Sequence, residues 1–411
     1  MNTAPRRLLL DLYAIALQAV NGRVAVRQRM STYAPTEPVY VVAVGKAAPA
    51  MLRGAAEMLG QDLARALVIT KHGYADTGAG CDRVHVLESD HPVPGVASLE
   101  AGQALLDFIA AAPPRAPFVV LISGGTSALV EVLPSEVDAA QLQAANDWLL
   151  ASGWDIARVN RVRRSLSCIK GGRLARHLSG HAVLNLLLSD VPGDEPAAIG
   201  SGLLALPQDD GLAVADLAQL PPWLRVLVDA APPLPITADL SSIQIEVLRS
   251  NLDACEAAAS GARAHGLAVY LHDERLQGAA AACGRALAEQ VLAGPPGLHV
   301  WGGETTVRLP PQPGRGGRCQ TLALAAAQVL AGHSEVFFLA AGTDGSDGPG
   351  DDAGALVDGA SVSRGELECF DAVESLDRAD AGSFLEASGD LIQTGPTGSN
   401  VMDLVLALKL A

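Results

Sequence analysis

Short apolar runs that end in glycine-rich turns recur along this chain, and the turns are commonly followed by alanine-rich stretches of helical character. Residues 39–45 lead into a helix expected over 47–59, and residues 66–70, 84–89, 118–123 and 183–190 repeat the theme. Strands this short, alternating with helices, read as parallel strands covered on both faces, because parallel neighbours must be joined by a crossover and the usual crossover is a helix. The expected class is therefore α/β. In open sheets of this kind ligands bind beyond the carboxyl ends of the strands, so the informative residues are those in the turns that follow each run.

A chain of 411 residues is too long for one ordinary layered core, and two domains are expected. The densest proline cluster, from Pro221-Pro222 to Pro232-Pro233-Leu234-Pro235, puts the boundary near residue 235, with one domain over 1–235 and a second over 236–411. Beyond it, residues 242–249, 268–272, 299–303 and 335–343 read as strands, separated by helices near 251–265, 279–293 and 318–331, while 354–358 and 390–395 look more mixed. No apolar run approaches the roughly 20 residues needed to span a bilayer. Asp11 interrupts the leucines that follow Arg6 and Arg7, so the N-terminus is expected to form an amphipathic helix rather than a signal peptide.

Six cysteines without a Cys-x-x-Cys pair suggest neither a zinc site nor a disulfide framework and fit a reducing cytoplasm. A net charge of −16 with no basic tract excludes a general nucleic-acid binder, and no membrane partner is expected; the oligomeric expectation is a monomer or homodimer. An acidic protein that handles an anion must concentrate positive charge locally. The lysines are Lys46, Lys71, Lys170 and Lys409, and the first three lie within two residues of a glycine.

The turn Gly45-Lys46-Ala47-Ala48 puts a cation at the start of a helix, where the dipole is already positive; that makes sense if an anion sits there, the alternative being a solvated lysine. Ser123-Gly124-Gly125-Thr126-Ser127 combines glycines, which let successive backbone N–H groups face one concavity, with hydroxyls and a helix start, a combination suited to phosphate. Neither a Walker A loop nor a Gly-x-Gly-x-x-Gly dinucleotide fingerprint occurs. Asp190 and Asp194 flank a Pro-Gly turn and could ligate magnesium or simply form Asx turns. Three more glycine-rich turns carry Glu304, Arg315 with Arg318, and Asp344. Donors for phosphates, carboxylates for a divalent metal and cations for developing charge are what phosphoryl transfer needs.

Gly45-Lys46-Ala47-Ala48, Asp90-His91-Pro92-Val93-Pro94, Ser123 to Ala128, Ile169-Lys170-Gly171-Gly172-Arg173-Leu174, Ser189 to Asp194, Gly302-Gly303-Glu304-Thr305-Thr306-Val307, Gly342-Thr343-Asp344-Gly345 and Thr394 to Asn400 together resemble the glycerate kinases that carry a C-terminal MOFRL domain, in order and over nearly the whole chain. The resemblance implies a Rossmann-like N-terminal domain and a smaller α/β domain with MOFRL at about 298–405, enclosing an active-site cleft. It also implies ATP-dependent phosphorylation of D-glycerate, usually at the 2-hydroxyl, with Mg2+ or a similar divalent cation.

On that resemblance Lys46, Arg318 and Asp190 are expected to be catalytic, and Ser123, Gly124, Gly125, Thr126 and Ser127, with Lys46, to bind the ATP phosphates. Asp190 and Asp194 are expected on the metal, Arg318 on the glycerate carboxylate, and Glu304 and Asp344 on the substrate. One departure stands out: Arg318 is followed by Cys319, Gln320 and Thr321, where the family usually has Asn, Gln and Glu. Two other readings remain at this point, an NAD(P)-dependent hydroxypyruvate reductase and a nucleotide-binding paralogue with little turnover.

Overall fold

In the computed structural model, which describes residues 3–75, 82–152, 154, 156–206, 214–230 and 241–411, the chain forms two compact units. Gly22–Leu248 is inserted into the other, which is built from Met1–Asn21 and Arg249–Ala411. We call them the inserted and the terminal unit. The proline run 232–235 and the boundary expected near 235 lie outside the described residues.

The inserted unit holds β1 (Val39–Val44), β2 (Leu63–Lys71), β3 (Val84–Ser89), β4 (Phe118–Ile122), β5 (Val183–Leu188) and β6 (Ile243–Arg249). Their order is β3-β2-β1-β4-β5-β6, and the pairs from β3 through β5 are all parallel, as the alternation of strands and helices predicts. Alternate residues feed opposite cores: Val42, Val44, Val120 and Ile122 pack on one face, and Val41, Ala43, Val119 and Leu121 on the other. The helix Ala48–Leu59 buries Ala48, Met51, Leu52, Ala55 and Leu59, a stripe at helical spacing that covers the second face. Chain order runs outward from β1 to β3 on one side and from β4 to β6 on the other, so the direction of winding reverses between β1 and β4. That reversal opens a crevice at the strand ends.

The terminal unit holds β7 (Val269–Leu271), β8 (Gly297–Gly303), β9 (Val336–Gly342), β10 (Asp352–Asp358), β11 (Leu391–Gln393) and β12 (Asp403–Lys409), in the order β11-β10-β9-β12-β8-β7. This sheet is mixed, unlike that of the inserted unit. Only β7 and β8 pair in parallel; β12 runs antiparallel to both β8 and β9, and β10 is antiparallel to β9 and β11. Residues 343–351, which join β9 to β10, contain no crossover helix, so the chain must turn back on itself.

The expected N-terminal helix is present as Thr3–Ala19, but it belongs to the terminal unit, not to the unit that follows it in sequence. Leu9, Leu12, Tyr13 and Ala16 are buried with Leu298, Val300, Leu339 and Leu406. The Tyr13 hydroxyl donates to the Gly342 carbonyl at 2.6 Å, and Arg6 pairs with Asp358 and Asp390. The 27 residues Ala4–Met30 are long and apolar enough to cross a membrane by composition, yet they form two helices whose apolar residues Leu9, Leu12, Val26 and Met30 are core.

Candidate functional site

The turns after β1 and β4 are knitted together at the point where the winding reverses. Val44 is level with Ile69 on one side and with Ile122 on the other. Gly45 has φ 128°, and a Cβ there would lie 2.1 Å from Ser123 Oγ, so glycine is what allows the two turns to touch. The Ala47 N–H donates to Ser123 Oγ at 3.0 Å, the Lys46 N–H to the Gly124 carbonyl at 3.0 Å, and the Thr126 hydroxyl to the Val44 and Ser123 carbonyls at 2.9 and 2.7 Å. The Lys46 stem and the His91 ring converge over Gly125: a Cβ on Gly125 would meet Lys46 Cγ at 3.3 Å and His91 Nε2 at 3.4 Å.

Two expectations for this turn change. Ser123 and Thr126 are fully buried and their hydroxyls are occupied in holding the turn, so they shape it rather than face a ligand. The helix that follows, Thr126–Leu129, is a single turn, so its dipole contributes little. Gly125 and Ser127 do line a cavity of about 150 Å³, together with His91, Glu131, Asn146 and Arg163. Lys170 also reaches this cavity; its ammonium donates to Glu131, and both side chains are only 2% exposed. Ser127 Oγ lies 2.7 Å from Ser201 Oγ.

Asn146 comes from the helix Ala139–Ala151 and Arg163 from Ile156–Ser165. Arg163 Nε donates to Asn146 Oδ1 at 3.0 Å, and Asn146 Nδ2 is buried with no partner among the described residues. Burial lowers the pKa of Arg163, a direction that costs charge and is not offset by a neighbouring acid.

The β5 turn stands beside the β4 turn, since Ile122 is level with Leu187. It carries Asp190 and Asp194, and Asp194 Oδ1 is buried without a partner among the described residues. No group of three or more His, Cys, Asp or Glu side chains among the described residues is placed to hold a metal. Two carboxylates with one orphaned oxygen nonetheless suit Mg2+, which commonly takes one or two carboxylates and completes its shell with phosphates and water.

In the terminal unit the ends of β8, β9 and β12 are level, with Asp403 opposite both Gly303 and Gly342. Arg318 opens the helix Arg318–Leu330; its Nη1 donates to the Glu304 carboxylate and its Nη2 to Asp403 Oδ1 at 3.2 Å. Burial works against the guanidinium's charge, but Asp403 and Glu304 more than offset it and leave its pKa raised. Both terminal nitrogens are thus already engaged by acids, an obstacle to the expected two-pronged grip on a substrate carboxylate.

Asp347 caps the same helix, accepting from the Cys319 and Gln320 N–H groups at 3.1 and 2.8 Å. Burial, then the charge of Asp403, push its carboxyl up to about 7. Asp344 Oδ1 accepts from the Ser346 N–H at 2.9 Å, and its charge raises the already burial-raised pKa of Asp403. Glu304, Arg318 and Asp344 are therefore gathered around Asp403, which the sequence reading did not single out. Cys319 and Thr321 are buried, Cys319 within the core, so part of the departure after Arg318 lies in packing.

Residues 8–221 match the family described as "Domain of unknown function (DUF4147)", and residues 297–403 match the MOFRL family. The chain is 32% identical to the D-glycerate 2-kinase of Thermotoga maritima over 98% of each chain. It is 34% identical to a putative hydroxypyruvate reductase of Agrobacterium vitis, covering 98% of this chain and 94% of that one. The crystal structure of a Thermotoga maritima glycerate kinase superimposes with a TM-score of 0.84 at 31% identity, covering 99% of this chain and 100% of that one.

Proposed function

Because the chain belongs to the glycerate kinases that carry a C-terminal MOFRL domain, we propose that it transfers the γ-phosphoryl group of ATP to D-glycerate at the 2-hydroxyl, giving 2-phosphoglycerate and ADP. The observation that carries the reading is the joined β1 and β4 turn, with Lys46 over Gly125 at the reversal of the sheet. In the reaction the glycerate 2-hydroxyl oxygen forms a bond to the γ-phosphorus and the bond from that phosphorus to the β,γ-bridging oxygen breaks. ADP leaves with the electron pair, and the hydroxyl proton is released.

Lys46 is assigned to the oxygens of the moving phosphoryl group, where a fixed cation stabilises charge that grows in flight. Backbone N–H groups of the Gly124-Gly125 turn, held in shape by the Ser123 and Thr126 hydroxyls, are assigned to the ATP phosphates, with Ser127 beside them. Asp190 and Asp194 would hold a divalent cation; bound there, it would neutralise phosphate charge. Arg318 is assigned to the charge near the reacting oxygens, and Glu304 and Asp344 to the acceptor's hydroxyls. A cytoplasmic location fits the unpaired Cys168, Cys255, Cys283, Cys319 and Cys369.

The test is a coupled assay. ADP release that depends on D-glycerate is expected; NADH oxidation with hydroxypyruvate and no ADP release would instead favour the reductase named among the relatives.

A further inference from the structure

The cavity beside the Gly125 turn has features that the transfer of a phosphoryl group does not use. At about 150 Å³ it is well below the roughly 300 Å³ at which pockets for larger ligands begin, so it suits a molecule of a few atoms and not a nucleotide. Part of its wall, beside Pro92, Pro94, Ala128 and Leu142, is polar and out of water: Glu131, Asn146 and Lys170 are buried. Lys170 and Glu131 neutralise one another, which leaves Arg163 as the uncompensated charge of the lining, and Arg163 has no ion-pair partner among the described residues. A part-buried guanidinium without an acid is costly, and an anion would offset that cost.

The second observation is Asn146. This side chain is 1% exposed, and its Oδ1 is fixed by Arg163 Nε at 3.0 Å; the amide is thereby oriented, with Nδ2 left as a buried donor that has no protein acceptor among the described residues. A guanidinium and an amide N–H held together by one hydrogen bond offer two donors to a planar acceptor. A net charge of one positive in the lining matches a monoanion.

We infer that this cavity seats the carboxylate of the acid that the enzyme phosphorylates, with Arg163 and Asn146 as its specificity-determining donors; this rests on the kinase reading above. Arg318, with Nη1 on Glu304 and Nη2 on Asp403, is then not the residue that grips the carboxylate. Lys46 and Gly125, at the rim of the same turn, place the hydroxyl end of a short acid near the phosphoryl site.

The experiment is calorimetric titration of the intact protein with D-glycerate, inorganic phosphate and glycerol, combined with glycerate and ATP kinetics, for the parent, Arg163→Gln, Arg163→Lys and Asn146→Ala. Arg163→Gln should weaken glycerate binding and raise the glycerate KM by roughly 10- to 100-fold, as loss of a charged hydrogen bond does, with the ATP KM little changed. Asn146→Ala should have a smaller effect in the same direction, and Arg163→Lys should recover part of the loss. Glycerol, which lacks the carboxylate, should not bind measurably to any of them. A folded Arg163→Gln protein that releases ADP with an unchanged glycerate KM overturns the cavity and leaves the kinase reading standing. Glycerate binding that Arg163→Gln abolishes, in a parent that releases no ADP, keeps the cavity and removes the kinase reading. Loss of phosphate binding alone in the variants, with glycerate binding intact, overturns the assignment to a carboxylate.

Discussion

In the inserted unit Arg163 meets no acid among the described residues, whereas in the terminal unit Arg318 is held between Glu304 and Asp403. The two units also treat their remaining charges differently. Lys170 and Glu131 form a buried ion pair, both 2% exposed, while the terminal unit gathers Asp344 and Asp347 around Asp403, which itself pairs with Arg318. A parallel sheet whose winding reverses leaves a crevice into which a cation can project. In the mixed sheet β12 brings Asp403 level with the ends of both β8 and β9, and the cation found there is enclosed by acids. The side chain is the same in both places; its neighbours decide whether it is available to a ligand.

The largest expected effect is at the buried pair of Lys170 and Glu131. Lys170→Met should strand Glu131 in the interior and lower stability by roughly 3–5 kcal/mol, because a buried charge without its partner retains its desolvation cost. Adding Glu131→Leu should restore much of the loss, and thermal unfolding of the two proteins checks both statements. If the single variant melts with the parent, the contrast between the two units is wrong.

Lys46→Ala should lower turnover by roughly 10²–10³ while the melting temperature stays near the parent value. Near-normal turnover in a folded Lys46→Ala protein would remove Lys46 from the phosphoryl-transfer site.

Asp347 gives the contrast a pH dependence. Its carboxyl titrates near 7 when folded, above its ordinary value of 3.8, because of burial and then Asp403. Between those two pH values the folded protein keeps a proton that the unfolded chain has released, so this group's contribution makes stability fall as pH rises from about 4 to 7. Asp347→Asn, which keeps one acceptor for the helix N–H groups, should flatten that fall; denaturant midpoints across the window measure it. The smallest effect is expected for Glu304→Gln: this pair with Arg318 is about two-fifths exposed, and its loss should cost under about 1 kcal/mol.

Much of this was legible in the sequence. Strands β1 to β5 of the inserted unit and the turns that carry Lys46, Ser123 to Ser127 and Asp190 follow from short apolar runs that end in a glycine or a small polar residue. What the hydroxyls do was not legible, because residue type does not say whether Ser123 and Thr126 point out of the turn or back into it. The N-terminal helix shows an apolar face but not which sheet receives it, and the answer lies in contacts to residues more than 300 positions away, such as Tyr13 to Gly342. The last strand, Asp403–Lys409, is rich in Leu, which favours helices, and its place between β8 and β9 makes it a strand. Glu131, Asn146 and Arg163 carry no motif; they meet because separate segments fold over the β4 turn.

Phosphorylation at the 2-hydroxyl of glycerate can be read from phosphorus NMR of the product formed from ATP and D-glycerate. A phosphomonoester coupled to the single proton on C2, appearing in step with ADP, is the predicted result. A signal coupled to the two protons on C3, or no glycerate-dependent phosphomonoester at all, would contradict it.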